Sequence, residues 1–285
     1  MSRRMRAYYY AIFGALGGLL GWQVSNWLGL RLSSNLYLSD AITGALLGLA
    51  LGVALGCAEG AVALSPVRAL RMGALNGGIG LVGGALGLPV GEWVFHAVGG
   101  EVVGRALGWA VLGGLIGAAE GISGGTRTWK GALGGALGGL VGGASLELLR
   151  PWTGDLLAGK GIGLVVLGAS IGAFMALVVV LLSRAWFEVT SGKLKGTEFI
   201  LDKFLHEGGP SAMIGSSPLK ADIVLPDPDV AAQHAVLQGA GTHFSLQDIS
   251  LNGTYLNGRR IEHVSLRDGQ SLRVGNTTMV YHERR

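Results

Sequence analysis

Cysteine, charge and catalytic motifs are all scarce in this chain. A single cysteine among 285 residues excludes an internal disulfide and a zinc site built from several cysteines. Charged residues make up only 14% of the chain, against about 25% in an average soluble protein. The sequence has no phosphate-binding P-loop and no nucleophile beside a plausible base and acid. We therefore expect no enzyme activity, no metal site and no cofactor.

The few acids are unevenly distributed, because most of them lie in the last hundred residues. The chain therefore reads as two proteins in series. We predict an α-helical membrane bundle over residues 1–185, followed by an all-β sandwich over residues 186–285. The net charge of +4 and the pI of about 9.4 are attributed to arginines in membrane loops, so no nucleic-acid partner is expected.

The first part holds six stretches of about 20 apolar or glycine residues, the length that crosses the hydrocarbon core of a bilayer. They are residues 8–28, 41–64, 72–95, 103–122, 130–149 and 161–183. The first stretch follows "MSRRMR" and could also be a secretory signal. It is long and lacks a small-residue cleavage site, which favours a retained membrane anchor.

Basic residues in the loops predict the orientation. If the N-terminus is cytoplasmic, ten basic residues lie on the cytoplasmic side and four on the other; the four are Arg31, Arg105, Arg150 and Lys160. The positive-inside rule then places both termini in the cytoplasm of a multi-pass protein of the plasma or inner membrane. An even number of spans agrees with this.

An internal repeat divides the spans into three helical hairpins. "GALGG" at Gly14, "GALNG" at Gly73 and "GALGG" at Gly131 open the first, third and fifth spans. The second helices of the first two hairpins contain "GCAEG" and "GAAEG", and the third has "GAFMA" in the same place. The motifs end in Glu59 and Glu120, with Met175 near the corresponding position. We leave two roles open for the glutamates: an ion or proton site, or anchoring between repeats near the membrane surface.

Glycine recurs at every fourth residue of the second span, from Gly44 to Gly60, and of the fifth span, from Gly131 to Gly143. A second row in the fifth span comprises Gly134, Gly138 and Gly142. Such rows let helix backbones approach closely in lipid. Residues 8–183 resemble the glycine-zipper membrane proteins, a resemblance that implies close packing and allows homo-oligomers, and leaves function open.

After "LVVVLLSRAW" the pattern changes from helical to alternating. "FEVTSGKLKGTEFIL" reads as two strands about a Ser-Gly turn, and the strands "DIVL", "HAVL", "HFSLQDI", "TYLNGRRI", "SLRVG" and "TMVYHE" follow between Gly, Pro, Asn and Asp residues. Many short strands with regular turns predict a β-sandwich.

Three segments carry a family resemblance: "MIGSSPLKADIVLPDPDVAAQHAVL", "LQDISLNGTYLNGRRI" and "LRDGQSLRVGNTTMVYH". In order and spacing they resemble a forkhead-associated (FHA) domain across residues 187–285. The resemblance implies a sandwich that binds phosphothreonine peptides of protein partners through the loops at one end. It also implies that Asn252 holds the peptide backbone.

The chain departs from this family where phosphate is bound. Ser216 stands in place of an arginine, and "AAQH" from Ala231 to His234 replaces Ser-Arg-x-His. Serine and alanine do not replace the charge-assisted grip of a guanidinium on phosphate. The remaining candidates for binding a phosphopeptide or another partner are Ser216, Ser217, Lys220, Ser250 and Asn252. We expect weak or absent discrimination of phosphothreonine.

Two functions remain open at this stage. The first is a membrane-anchored FHA protein that acts as an adaptor, scaffold or signalling module at the cytoplasmic face. The alternative is a channel or transporter regulated by the FHA-like domain. Few polar residues fall within the spans, chiefly Gln23, Asn76 and Ser170, which favours the first function because a pathway needs polar groups at mid-membrane.

Overall fold

The computed structural model describes residues 3–28, 36–62, 66–99, 101–123, 128–149 and 156–284. It divides into two compact units. One comprises the helical residues Arg4–Leu181 and the other contains Leu182–Arg285.

The first unit consists of six helices: α1 (Arg3–Trp27), α2 (Leu36–Val62), α3 (Pro66–Val98), α4 (Glu101–Ser123), α5 (Thr128–Leu149) and α6 (Leu156–Leu181). Most extend beyond the predicted apolar stretches, because helix continues into the polar flanking residues. Among the described residues, α2 to α6 are long and apolar enough to span a membrane. The helix α1 is not among these candidates, so five of the six predicted spans are candidates, and a span at α1 stays a prediction.

Glycines bring neighbouring helices close together. A β-carbon added at Gly44, Gly48 or Gly52 of α2 would overlap backbone atoms of α3, at Gly84, Gly80 or Asn76 respectively. In α5 the row that begins with Gly131 and Gly135 meets the backbone of α4, whereas Gly134, Gly138 and Gly142 meet the backbone of α6. The helix α5 therefore has two glycine faces because it has two close neighbours.

The helix α1 packs in the same manner. A β-carbon at Gly14 or Gly18 would overlap the α6 backbone at Gly168 or Leu164. Gly17, on another face of α1, lies against Leu51 of α2. The first helix is thus held between the second and the sixth.

Apolar side chains from α2, α4 and α6 form one buried cluster. It includes Leu51, Leu55, Leu112, Ile116, Leu167 and Ile171, each no more than 1% exposed. Leu55, Ile116 and Ile171 directly precede the repeated motifs "GCAEG", "GAAEG" and "GAFMA", so the repeat places equivalent side chains in this core. Met175 is buried there as well, whereas the side chains of Glu59 and Glu120 lie outside the described residues.

The second unit is a β-sandwich. Its strands are β1 (Ala185–Ser191), β2 (Glu198–Ile200), β3 (Ala212–Gly215), β4 (Ile223–Val224), β5 (Ala235–Gly239), β6 (Phe244–Asp248), β7 (Thr254–Leu256), β8 (Arg259–Ile261), β9 (His263–Ser265), β10 (Ser271–Val274) and β11 (Thr277–Glu283). A six-stranded sheet has the order β2-β1-β11-β10-β7-β8, and a five-stranded sheet has the order β4-β3-β5-β6-β9. Alternate residues of the longer strands fill the core of this unit, in which Phe187, Leu237, Phe244 and Tyr281 are fully buried.

One strand assignment from the sequence is corrected. "TYLNGRRI" is a hairpin of β7 and β8 rather than a single strand, with Asn257 and Gly258 at its turn. Both turn residues have positive φ, 49° and 82°, as a two-residue hairpin turn requires. Asn257 also accepts a hydrogen bond from the Ser271 N–H at 2.9 Å, which ties the turn to β10.

Candidate recognition end of the β-sandwich

Three loops meet at one end of the sandwich, which we call the recognition end: residues 216–222, 225–234 and 249–253. The Ser216 N–H donates to the Ala231 carbonyl at 2.9 Å. A β-carbon at Gly215 would overlap the Ala232 carbonyl, so glycine permits this close approach. The structure therefore brings together the positions at which the sequence departs from the FHA pattern.

A turn in the first loop presents Lys220 to solvent. The Ala221 N–H donates to the Ser217 carbonyl at 2.9 Å and the Lys220 N–H does so at 3.2 Å. Ser216 and Ser217 are half-buried, whereas Leu219 and Lys220 are exposed. Lys220 is thus an exposed positive charge at the recognition end, beside two less accessible hydroxyls.

His234 is a structural residue that joins two loops. It is fully buried, and its Nδ1 accepts the Ala231 N–H at 3.1 Å. The proton of the neutral ring is therefore on Nε2, which lies 3.0 Å from the Ser250 Oγ and 3.3 Å from the Gly253 carbonyl. The ring fixes the second loop to the third.

Ser250 forms hydrogen bonds with His234, Asp248 and Gly253. Its hydroxyl donates to Asp248 Oδ1 at 2.8 Å and accepts the Gly253 N–H at 3.0 Å. The single hydroxyl hydrogen is therefore used within the protein. The contacts of Ser250 shape the third loop, and its proposed contact with a ligand remains a prediction.

The Asp248 carboxylate accepts four hydrogen bonds and thereby fixes the shape of this loop. Oδ1 accepts from the Ser250 N–H, the Ser250 hydroxyl and the Thr254 hydroxyl, and Oδ2 accepts from the Thr254 N–H at 3.1 Å. Burial alone would raise the pKa of Asp248, but these hydrogen bonds favour the charged form and the pKa is lowered.

Asn252 lies at the tip of the third loop and is exposed. Its side-chain N–H donates to the Asp229 carbonyl at 2.8 Å. This is the amide that the family resemblance assigns to the peptide backbone, and here it binds a backbone carbonyl of the second loop. The exposed Asn252 side chain is thus held by the backbone of the second loop.

A second carboxylate, which is not among the residues predicted from the sequence, fixes the other side of the second loop. Asp227 accepts from the Asp229 N–H at 3.1 Å, the Asn276 N–H at 2.8 Å and the Thr277 hydroxyl at 3.1 Å. Burial would raise the pKa of Asp227, but these bonds and the charge of Lys193 outweigh it, so the pKa is lowered. The "DPD" segment could have indicated this role for Asp227, because Asp commonly accepts a hydrogen bond from the N–H two residues later.

The five predicted site residues are therefore distributed over two of the three loops. Ser216, Ser217 and Lys220 belong to the first, and Ser250 and Asn252 to the third. The second loop contributes backbone carbonyls to Ser216 and Asn252. Within the described ranges, no cluster of three or more His, Cys, Asp or Glu residues is placed to hold a metal ion.

Comparison with known proteins agrees with this arrangement. The model of the FHA domain family matches residues 212–275, which include β3 to β10 and all three loops. The glycogen accumulation regulator GarA of Mycolicibacterium smegmatis is 32% identical over 94 residues, covering 33% of this chain and 55% of GarA. GarA of Mycobacterium tuberculosis is 29% identical over 94 residues, covering 33% of this chain and 54% of GarA. The chain thus spans about half the length of these curated relatives.

Solved FHA domains also resemble the sandwich. The FHA domain of a Chlamydia trachomatis protein is 30% identical with a TM-score of 0.33, covering 36% of this chain and all of that domain. A domain solved in a study of phosphothreonine-dependent FHA interactions is 25% identical with a TM-score of 0.31, covering 36% of this chain and 98% of that domain. On the evidence of the matching family model, residues 212–275 are an FHA domain, a phosphothreonine-binding type of protein-interaction module, which follows several long apolar helices.

Proposed function

We propose that this chain is a membrane-anchored interaction module without enzyme activity, in which the helices hold the FHA domain at the cytoplasmic face to recruit a protein partner. The observation that carries the proposal is the recognition end itself. His234 and Asn252 join its second and third loops, and the Ser216 N–H ties the first loop to the second, yet the positions that grip phosphate in the family hold Ser216 and Ala231. The recognition end thus keeps the loop arrangement of a binding site but lacks the arginines that bind phosphate in the family.

In this proposal the FHA domain binds phosphothreonine only weakly. An arginine grips phosphate through two parallel charge-assisted hydrogen bonds, and neither Ser216 nor Ala232 supplies a charge. Lys220 is the exposed cation of the first loop, but an ammonium on a flexible stem acts as a point charge without the planar fork. We therefore assign the recognition end to a partner whose binding does not depend on phosphorylation, with Asn252 as the group that holds its backbone.

The helical unit supports anchoring in the lipid bilayer rather than transport. Its outer surface exposes large apolar side chains, such as Leu70, Val82, Leu86 and Val103, which suits contact with lipid. Its centre is filled by the buried cluster around Leu112. Among the described residues, this packing favours a closed bundle over an aqueous pathway.

We further propose that all six helices cross the membrane and that both termini are cytoplasmic. The glycine contacts of α1 with α2 and α6 support a crossing α1, as does the distribution of loop arginines. After replacement of Cys57, single cysteines introduced near Arg31, Arg105 and Thr153 should react with a membrane-impermeant reagent from the non-cytoplasmic side.

Labelling of all three positions from the cytoplasm alone would contradict this topology. If α1 did not cross while α2 to α6 did and the sandwich stayed cytoplasmic, all three positions would keep their side and only the N-terminus would change side. A fourth cysteine near Met1 therefore distinguishes five crossings from six. A cysteine introduced at Thr242, in an exposed turn of the sandwich, provides the cytoplasmic control.

A further inference from the structure

Three long side chains form a row across the outer face of the six-stranded sheet. Arg260 in β8 is paired with Tyr255 in β7, and Tyr255 is paired with Arg273 in β10. Directly paired residues of neighbouring strands project from the same face. Their inward-pointing neighbours Thr254 and Leu272 are buried, so this row faces outward.

Contacts within the domain hold both guanidinium groups in place. The Arg273 guanidinium carbon lies 4.3 Å from the centre of the Tyr255 ring, a stacked cation–π arrangement. The Arg260 guanidinium donates to the Leu251 carbonyl at 3.4 Å and lies against Gly253. Both arginines are nevertheless exposed, so their remaining N–H groups face solvent.

Neither arginine forms a salt bridge with an acid in the part of the chain that the structure describes. Acids on the same face, Glu188 and Glu198, lie on β1 and β2 toward the opposite edge of the sheet. Glu188 is also paired with His282 at 3.3 Å. The guanidinium charge that is absent from the loops is thus present on the adjoining face, without a salt bridge to a described acid.

We propose that the row Arg260–Tyr255–Arg273 binds an acidic segment of a protein partner. A guanidinium binds a carboxylate through two parallel hydrogen bonds, and arginine and tyrosine are both enriched in protein interfaces. This surface goes beyond the proposed function, because it does not require a ligand at the recognition end.

The test uses the full-length protein in nanodiscs of zwitterionic lipid. The probe is a fluorescein-labelled peptide with a run of glutamates, and its twin has glutamines instead. The glutamate peptide should bind, more weakly as salt is raised, and the twin should not. Arg260→Gln or Arg273→Gln should each weaken binding by about tenfold or more.

Arg267→Gln is the matched control, because it removes the same charge from an exposed residue beyond β9. It should change the affinity less than about twofold. An equal loss in Arg267→Gln would show that only net charge matters and would overturn the proposal. Absence of binding to the unmodified protein at low salt would overturn it as well.

Further variants distinguish binding at the row from binding at the loops and from a folding defect. Lys220→Gln alters the recognition end at an exposed residue of the first loop and should change the affinity for the glutamate peptide less than about twofold; a tenfold loss would place the peptide on the loops and overturn the proposal. Arg260→Lys and Arg273→Lys keep the charge, so they guard against a folding defect in the glutamine variants. Each should bind more tightly than its glutamine counterpart, and equal binding would contradict a role for these charges.

Discussion

Replacing Gly52 by leucine should destabilise the helical unit by about 3 kcal/mol, at the upper end of the usual cost of overpacking. Gly52 lies in the middle of the row on α2 that meets α3, and an added β-carbon would overlap the Asn76 carbonyl. The obstacle is backbone, which cannot rotate away as a side chain can. The two helices must therefore separate along their length. Thermal unfolding of the purified protein in detergent measures the effect.

Gly78→Leu provides the matched control for this experiment. Gly78 lies in the same bundle, in α3, and an added β-carbon there would meet no atom within 4 Å. The control should leave the unfolding temperature nearly unchanged, since its new side chain projects outward. Equal behaviour of Gly52→Leu and Gly78→Leu would show that the glycine contact between α2 and α3 does not hold the bundle together.

Replacing Asp248 by asparagine should destabilise the FHA domain by about 3 kcal/mol. Asparagine keeps the shape but replaces one acceptor oxygen by a donor amide. At least one N–H or O–H group of Ser250 or Thr254 would then lose its acceptor, and the charge that strengthens the remaining bonds would disappear. Chemical denaturation of residues 182–285, followed by the fluorescence of Trp186, the single tryptophan in that part of the sequence, measures the loss. Asp268→Asn, at an exposed aspartate away from this network, should have a much smaller effect.

The same carboxylates predict how stability depends on pH. The pKa values of Asp227 and Asp248 are lowered in the folded domain, so the unfolded state binds more protons as the solution is acidified. Their contribution is fully present above the unfolded value of about 3.9 and is lost as pH falls through the folded values. The FHA domain should therefore lose stability below about pH 4. Asp248→Asn should show a shallower decline, and an unchanged slope would contradict the assignment.

The broad architecture could be predicted from the sequence because its signals are local. Apolar runs of about 20 residues predict helices, and alternating residues such as Phe187 and Val189 predict strands. Glycine spacing also anticipated the rows that meet neighbouring backbones, such as Gly52 against α3. The exceptions were also local in origin. The polar residues of α1 keep it outside the candidate spans, and Asn257-Gly258 folds an apparent strand into a hairpin.

The recognition end could be predicted only in part. The family pattern identified the loops and the missing phosphate ligands, since those depend on residue identity at known spacing. It did not reveal that the hydroxyl hydrogen of Ser250 is donated to Asp248, or that Asn276 and Asp227 join the second loop to the β10–β11 turn. The row of Arg260, Tyr255 and Arg273 depends on the register of three strands, which spacing alone does not specify.

The most direct test of the account is a titration of the full-length protein with a phosphothreonine peptide library and its unphosphorylated twin. We predict that the unmodified protein binds both with affinities within about threefold, because two lost charge-assisted bonds correspond to roughly two to four decades of affinity. Ser216→Arg combined with Ala231→Ser should restore a preference for phosphate of about a hundredfold or more. Micromolar binding by the unmodified protein that disappears on dephosphorylation would contradict the account, and its loss in Lys220→Ala would identify Lys220 as the phosphate ligand.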